Sequence, residues 1–299
     1  MKIVSSLLGR IGAGMTLLAV LPSLLVAQDS RPPVNLTDHP AEDRYPSWSP
    51  AGGALAFESN RSGNWDLYLM DPRTGAVTQL TDHPADDRFP GWDPVGQTLV
   101  FFSDRDGRPA LYTLELLTGE LRFVVEVEGA EPAPSWSPDG SSIAYASRSG
   151  DELQVFLTSP DGTEIRRVTE GPYRSLWPRW SPDGRLLAFF SRKDTGGDED
   201  EVYVWDPVVE ATQRVTNRGG HDYCPAWSPD GTRLVMASSG PGEERSLRIT
   251  DLEGYEFAVL AEDFARANQP SWSPDGRGIV FSARTADGNY ELYRVEAPE

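Results

Sequence analysis

From residue 31 onward the chain alternates short runs of apolar and polar side chains with polar, glycine-containing stretches. Leu55-Ala-Phe57, Leu99-Val-Phe101, Ile143-Ala-Tyr145, Leu187-Ala-Phe189, Leu234-Val-Met236 and Ile279-Val-Phe281 form one set of such runs. Leu67-Tyr-Leu69, Leu111-Tyr-Thr113, Val202-Tyr-Val204 and Leu292-Tyr-Arg294 form another. A period of two, broken by a turn every ~8–12 residues, predicts short strands joined by hairpins. Nothing after residue 27 sustains a helical period, so the expected fold class is all-β.

The runs belong to a longer repeat. Pro46-Ser-Trp48-Ser-Pro-Ala-Gly52, Pro90-Gly-Trp92-Asp-Pro-Val-Gly96 and Pro134-Ser-Trp136-Ser-Pro-Asp-Gly140 are its first three copies. Pro178-Arg-Trp180-Ser-Pro-Asp-Gly184, Pro225-Ala-Trp227-Ser-Pro-Asp-Gly231 and Pro270-Ser-Trp272-Ser-Pro-Asp-Gly276 complete the set. The tryptophans stand 44, 44, 44, 47 and 45 residues apart. Each Ser-Pro-Asp-Gly segment has turn chemistry: proline presets φ, aspartate bonds locally and glycine tolerates positive φ. One four-stranded sheet of that length cannot bury both faces alone, but a radial stack of such sheets can. A six-bladed β-propeller follows, with the recurring tryptophans wedged between blades at roughly 2–4 kcal/mol each. The last repeat stops after its third strand, at Leu292 to Val295, while Val34 to Thr37 looks like an unpaired fourth strand. The expected ring is therefore closed by this amino-terminal strand, and residues 28–299 form a single domain.

Residues 1–27 read as a secretory signal. Lys2 and Arg10 precede an apolar stretch, Ile11 to Ala27, that ends in small residues. The expected destination is the periplasm or the extracellular space, with no stable membrane span after cleavage. The net charge is −19, with 27 basic against 46 acidic residues, which excludes a nucleic-acid partner. A single cysteine, Cys224, excludes an internal disulfide and a cysteine-based zinc cage.

The Pro-x-Trp-Ser-Pro-Asp-Gly unit, the Ile/Leu-Ala-Phe strand and the Leu-Thr strand ending resemble the TolB-like repeat, also known as WD40-like or PD40. The resemblance covers the chain after the signal segment. Blades one and two depart from it mildly, with Ala51 and Val95 at the turn aspartate and Asp93 at the serine. It implies a six-bladed propeller, often periplasmic and often a binding platform. TolB itself carries an α/β domain before its propeller; here residues 28–45 are all that separate the expected cleavage site from Pro46. The resemblance is thus to the family and not to TolB proper.

In such a ring the loops that enter each innermost strand share one face with the loops between the second and third strands. The Ser-Pro-Asp-Gly turns occupy the other face. The position three before each repeat proline carries Asp43, Asp87, Glu131, Ser175, Asp222 and Ala267, a partial carboxylate ring at the channel mouth. Such a ring focuses negative potential; the alternative is that each acid caps its own loop or pairs with Arg44 or Arg88. Tyr173, Trp177 and Tyr223 add aromatic groups nearby, Trp177 reading rather as packing between blades. The first functional reading is a non-catalytic binding or scaffold module. It docks a secreted or envelope protein or peptide through Asp43, Arg44, Asp87, Arg88, Glu131, Tyr173, Asp222 and Tyr223, and it calls for no cofactor. The second reading is a carbohydrate-active lyase or hydrolase. Related propeller lyases hold a metal with histidines over the channel, so this reading assigns a divalent cation to His39, His83 and His221. These three are the chain's only histidines, and His221 sits closer to its repeat proline than the other two. Lys193 to Glu201 holds acids and glycines without EF-hand spacing and reads as a solvated insertion. No Gly-x-Ser-x-Gly, His-Glu-x-x-His or Gly-x-x-x-x-Gly-Lys segment is present, which favours the non-catalytic reading.

Overall fold

Proline and glycine in the repeat bend the chain at fixed points, and the computed structural model shows what they build. It describes residues 32–129, 131–196, 198–262 and 264–298; the expected signal segment lies outside the described residues. In every Ser-Pro-Asp-Gly segment the glycine has φ between 71° and 74° and its amide donates to the carbonyl three residues back. That left-handed conformation is what only glycine adopts without strain. In blades three to six the serine hydroxyl donates to the turn aspartate, as in Ser137–Asp139 at 2.6 Å and Ser181–Asp183 at 2.7 Å.

Blades one and two lack that aspartate, and blade two replaces it from another position. The Asp93 carboxylate accepts the amides of Gln97 and Thr98 at 2.7 and 2.9 Å. It takes over the work that a serine hydroxyl does elsewhere, as where Ser137 Oγ accepts the Ser142 amide.

The strands assemble into six four-stranded antiparallel sheets among the described residues. Blade one is Asp43–Trp48, Leu55–Ser59, Asp66–Met70 and Val77–Gln79, and blade two is Asp87–Trp92, Thr98–Ser103, Ala110–Glu115 and Leu121–Glu126. Blade three is Ser135–Trp136, Ile143–Ser149, Glu152–Thr158 and Ile165–Arg167, and blade four is Ser175–Trp180, Leu187–Ser191, Glu201–Asp206 and Ala211–Arg214. Blade five is His221–Trp227, Arg233–Ser239, Ser246–Asp251 and Glu256–Leu260; blade six is Ala265–Trp272, Gly278–Arg284 and Tyr290–Glu296. Its fourth strand is Val34–Asn35, with Val34 opposite Arg294 and Asn35 opposite Tyr293. The Leu36 amide donates to the Leu292 carbonyl at 2.8 Å, and the Leu292 amide to Thr37 Oγ1 at 3.1 Å. The ring closes as its terminal strand signals predict.

Second strands are covered on both faces, since each blade is sandwiched by two others. Phe57, Phe101, Tyr145, Phe189, Met236 and Phe281 occupy one equivalent column and are all almost fully buried. Burying one such side chain stabilises by about 1.5–3 kcal/mol. The recurring tryptophans do wedge between blades: Trp227 shares a buried cluster with Ala188, Val202 and Val204 of blade four, and Trp272 shares one with Val235 of blade five. Trp92 Nε1 also donates to the Ser47 carbonyl and Trp227 Nε1 to the Arg179 carbonyl, both at 2.9 Å across a blade boundary.

A second recurring device fastens the outer strands. In blade one the Thr81 hydroxyl donates to Asp66 at 3.2 Å while accepting the Leu67 amide at 3.0 Å. Thr169 does the same with Gln154 and the Val155 amide, and Thr216 with Glu201 and the Val202 amide. Blade six builds this latch from both ends of the chain, with Asn35 donating to Glu291. No helix among the described residues is long and apolar enough to cross a membrane.

Candidate functional site

Each innermost strand starts on the face of the entering loops and bulges where the repeat proline removes an amide. The residue before that proline has positive φ in every blade: Tyr45, Phe89, Ala133, Trp177, Cys224 and Gln269, at 40–59°. The ladder shifts register here in five blades, for example between Arg44 and Ser47. A bulge of this kind re-aims a side chain. Tyr45 stacks on Trp177 at 5.2 Å between ring centroids, and Phe89 meets Tyr45 edge-on at 4.5 Å. These rings, with Cys224 and Gln269, floor a central cavity of about 430 Å³ that runs past the tryptophans to the prolines of the turns. The channel is therefore plugged toward the entering loops. Burial pushes the Cys224 thiol and the Tyr45 hydroxyl well up, so neither ionises near neutral pH.

Above the plug, the predicted acids are mostly engaged. Asp43 is fully buried and takes both oxygens to Arg61 Nη2 at 2.8 and 2.9 Å. Asp87 repeats this with Arg105, both contacts at 2.7 Å. In each case a serine of the second strand, Ser59 or Ser103, accepts from the arginine Nε. Asp222 is buried, and that burial pushes its carboxyl up. Glu131 alone of the predicted acids is exposed. The expected open ring of carboxylates is thus largely closed. The partner of Asp43 and of Asp87 is the arginine eighteen residues later, across the hairpin, and not the adjacent Arg44 or Arg88.

Those two arginines do something else. Arg44 lies 4.2 Å from the Tyr290 ring and 5.4 Å from the Trp65 ring, with Glu42 at 2.6 Å. Arg88 stands 4.8 Å from the other side of the same row at Trp65 and pairs with Glu58 of blade one at 2.8 Å. Glu58 is fully buried and also accepts the Phe89 amide; burial pushes its carboxyl up, with Arg88 opposing. The result is a continuous row, Tyr290–Arg44–Trp65–Arg88, across blades six, one and two. Loop staples hold it still. Asn64 Nδ2 donates to the carbonyls of His83 and Ala85 at 2.8 Å, and Asn289 Nδ2 to that of Pro40 at 2.6 Å. Tyr173 is half-buried, its carbonyl held by Gln154 at 2.9 Å. Opposite the row, Tyr223 stacks on His221 at 5.6 Å and carries Arg245 at 4.8 Å.

Sequence reasoning named Arg44 and Arg88 but missed Trp65 and Arg245, which sit on loops between second and third strands, and Tyr290, which opens the third strand of blade six. A tryptophan or tyrosine in an otherwise polar loop was the signal available.

The three histidines do not gather. His39 Nδ1 accepts the Ala41 amide at 3.0 Å and His83 Nδ1 the Ala85 amide at 3.1 Å, each inside its own Asp-His-Pro turn. His221 Nδ1 faces Asp200 at 3.1 Å. Burial pushes the Asp200 carboxyl up, but hydrogen bonds from Arg174 and Arg192 outweigh it and hold it below the usual range. Among the described residues, no three His, Cys, Asp or Glu side chains are grouped to hold a metal ion.

Residues 30–122 and 109–299 match PD40, the TolB beta propeller domain. The chain belongs to the TolB beta-propeller family. Among solved structures, this propeller is similar to TolB from Acinetobacter baumannii, with 21% identity, a TM-score of 0.66, and coverage of 87% of this chain and 63% of that one. A protein assigned as TolB from Agrobacterium tumefaciens gives 21% and 0.69 over 88% and 93% of the two chains. Oligogalacturonate lyase from Vibrio parahaemolyticus gives 17% and 0.58 over 89% and 93%. At these identities the likeness shows the fold alone. No curated protein sequence matches.

Proposed function

We propose that this TolB-type propeller is a non-catalytic binding module, secreted or periplasmic, that docks a protein or peptide partner on the face of the entering loops. The observation that carries this reading is the row Tyr290–Arg44–Trp65–Arg88. Tryptophan, tyrosine and arginine are the side chains most enriched among residues that dominate interface energetics. A guanidinium stacked on a ring still offers edge N–H groups to a partner's carbonyl or carboxylate. The staples from Asn64 and Asn289 fix the loops before binding, which lowers the ordering cost of association. Exposed Glu131, with half-buried Tyr173 and Tyr223, extends the surface around the mouth. Asp43, Asp87 and Asp222 support it from below. The family's periplasmic members support the envelope-side location.

The test is site-specific photocrosslinking in the producing cell, with the crosslinker at Trp65, at Tyr290, or at Asp139 on the turn face. One partner captured from both loop-face sites and not from Asp139, and lost when Arg44 is changed to Ala, is the expected result. Equal capture from Asp139 overturns the reading.

A further inference from the structure

At the position between proline and tryptophan the repeat carries Ser47, Gly91, Ser135, Arg179, Ala226 and Ser271. Five are small; one is an arginine, and it projects into the central cavity. Arg179 Nη1 donates to the carbonyls of Ala133 and Pro178 at 2.9 and 2.8 Å. Its Nε and Nη2 make no hydrogen bond, and no carboxylate lies within ion-pair distance, among the described residues. Asp93 is the one acid lining the cavity, and its Oδ1 is taken by the amides of Gln97 and Thr98 in its own turn. Burial holds the guanidinium down to about 10, so it stays charged at neutral pH.

The guanidinium lies 5.3 Å from the Trp177 ring with no carboxylate to balance it, and a charge withdrawn from water without a counter-charge is costly. The volume, about 430 Å³, falls within the range of small-molecule pockets. Its walls are the repeat tryptophans and the turn prolines, flat and apolar, and its floor is the Tyr45–Phe89–Trp177 plug. It opens on the turn face, away from the surface proposed above, so the two sites stand or fall separately.

We propose that this cavity is a second binding site, for a carboxylate carried on a flat apolar body. The Arg179 guanidinium pairs with the carboxylate through its free N–H groups, and the indole and proline walls cover the body. Free small acids and the carboxyl terminus of a peptide ending in an aromatic residue share this chemistry.

Titration of the full chain with benzoate tests it, read by calorimetry and by the fluorescence of the tryptophans that line the cavity. Benzamide serves as the uncharged isostere. N-acetylphenylalanine and its amide represent the peptide source. Arg179→Ser installs the residue that three other blades carry at this position and so keeps the repeat's packing; Arg179→Lys keeps the charge but not the fork. Benzoate is expected to bind at least about tenfold more tightly than benzamide, and to lose about tenfold or more in Arg179→Ser. Arg179→Lys falls between. Tighter binding of N-acetylphenylalanine than of benzoate assigns the site to peptide termini, and the reverse to free acids. If benzoate fails to bind, or matches benzamide, or is indifferent to Arg179→Ser, the arginine is a brace between blades and the proposal is overturned.

Discussion

The two faces of the wheel are built by opposite rules. On the turn face, blades three to six repeat one hydrogen-bond pattern, and where blade two loses its aspartate, Asp93 restores part of it from two positions away. On the loop face the same starting positions are reused with different chemistry. Asp43 and Asp87 bind one arginine each, Ser175 meets Ser191, and Asp200 of a neighbouring loop collects Arg174, Arg192 and His221. Repetition marks what every blade needs in order to stack. Variation marks where blades are released from that need, and the half-buried arginine–aromatic row lies there.

The comparison breaks most severely at the blade boundary. Arg88→Ala leaves Glu58 buried and unpaired, at an expected cost of about 3–5 kcal/mol in urea unfolding. Glu58→Gln in the same chain recovers part of that loss. Next comes Asp43→Ala, expected to cost about 2–3 kcal/mol by stranding Arg61. Ser175→Ala in the equivalent column of blade four costs ~1 kcal/mol or less in the same assay. On the turn face, Asp93→Ala is expected to cost about 1–2 kcal/mol, as for loss of a cap. Restoring the repeat with Asp93→Ser and Val95→Asp together keeps the unfolding midpoint close to that of the parent.

The smallest effect is in acid. Asp139, Asp183, Asp230 and Asp275 are held below the usual carboxylate range, first by the serine hydroxyl and then by a turn amide. Their native values lie below the unfolded ones, so this contribution is whole above the ordinary carboxylate range. It drains away as pH falls through the lowered values. These groups are largely solvated, so each step is small. Asp139→Asn is expected to give a shallower decline of the melting temperature in acid.

The blade count, the strand order and the ring closure were all legible, because turn chemistry and period-two alternation are local signals repeated in every copy. The site was legible only as a face. Adjacent strand residues point to opposite sides, so Arg44 cannot reach the carboxylate of Asp43, whereas the hairpin returns Arg61 to it. The plug was hidden for a related reason: the proline bulge re-aims Tyr45, Phe89 and Trp177 against the alternation that predicts their direction. Two of the histidines spend Nδ1 on their own loops, a choice made by turn geometry that no spacing reveals.

The Thr37–Leu292 latch joins residues 255 positions apart. The strand Val34–Asn35 must wait, unpaired, until the third strand of blade six has been made. Up to that moment the nascent propeller is an open arc with two raw edges. The seam thus works as a check on the ring itself: until Tyr290–Glu296 is in place, both edges of the arc stay open to stray pairing.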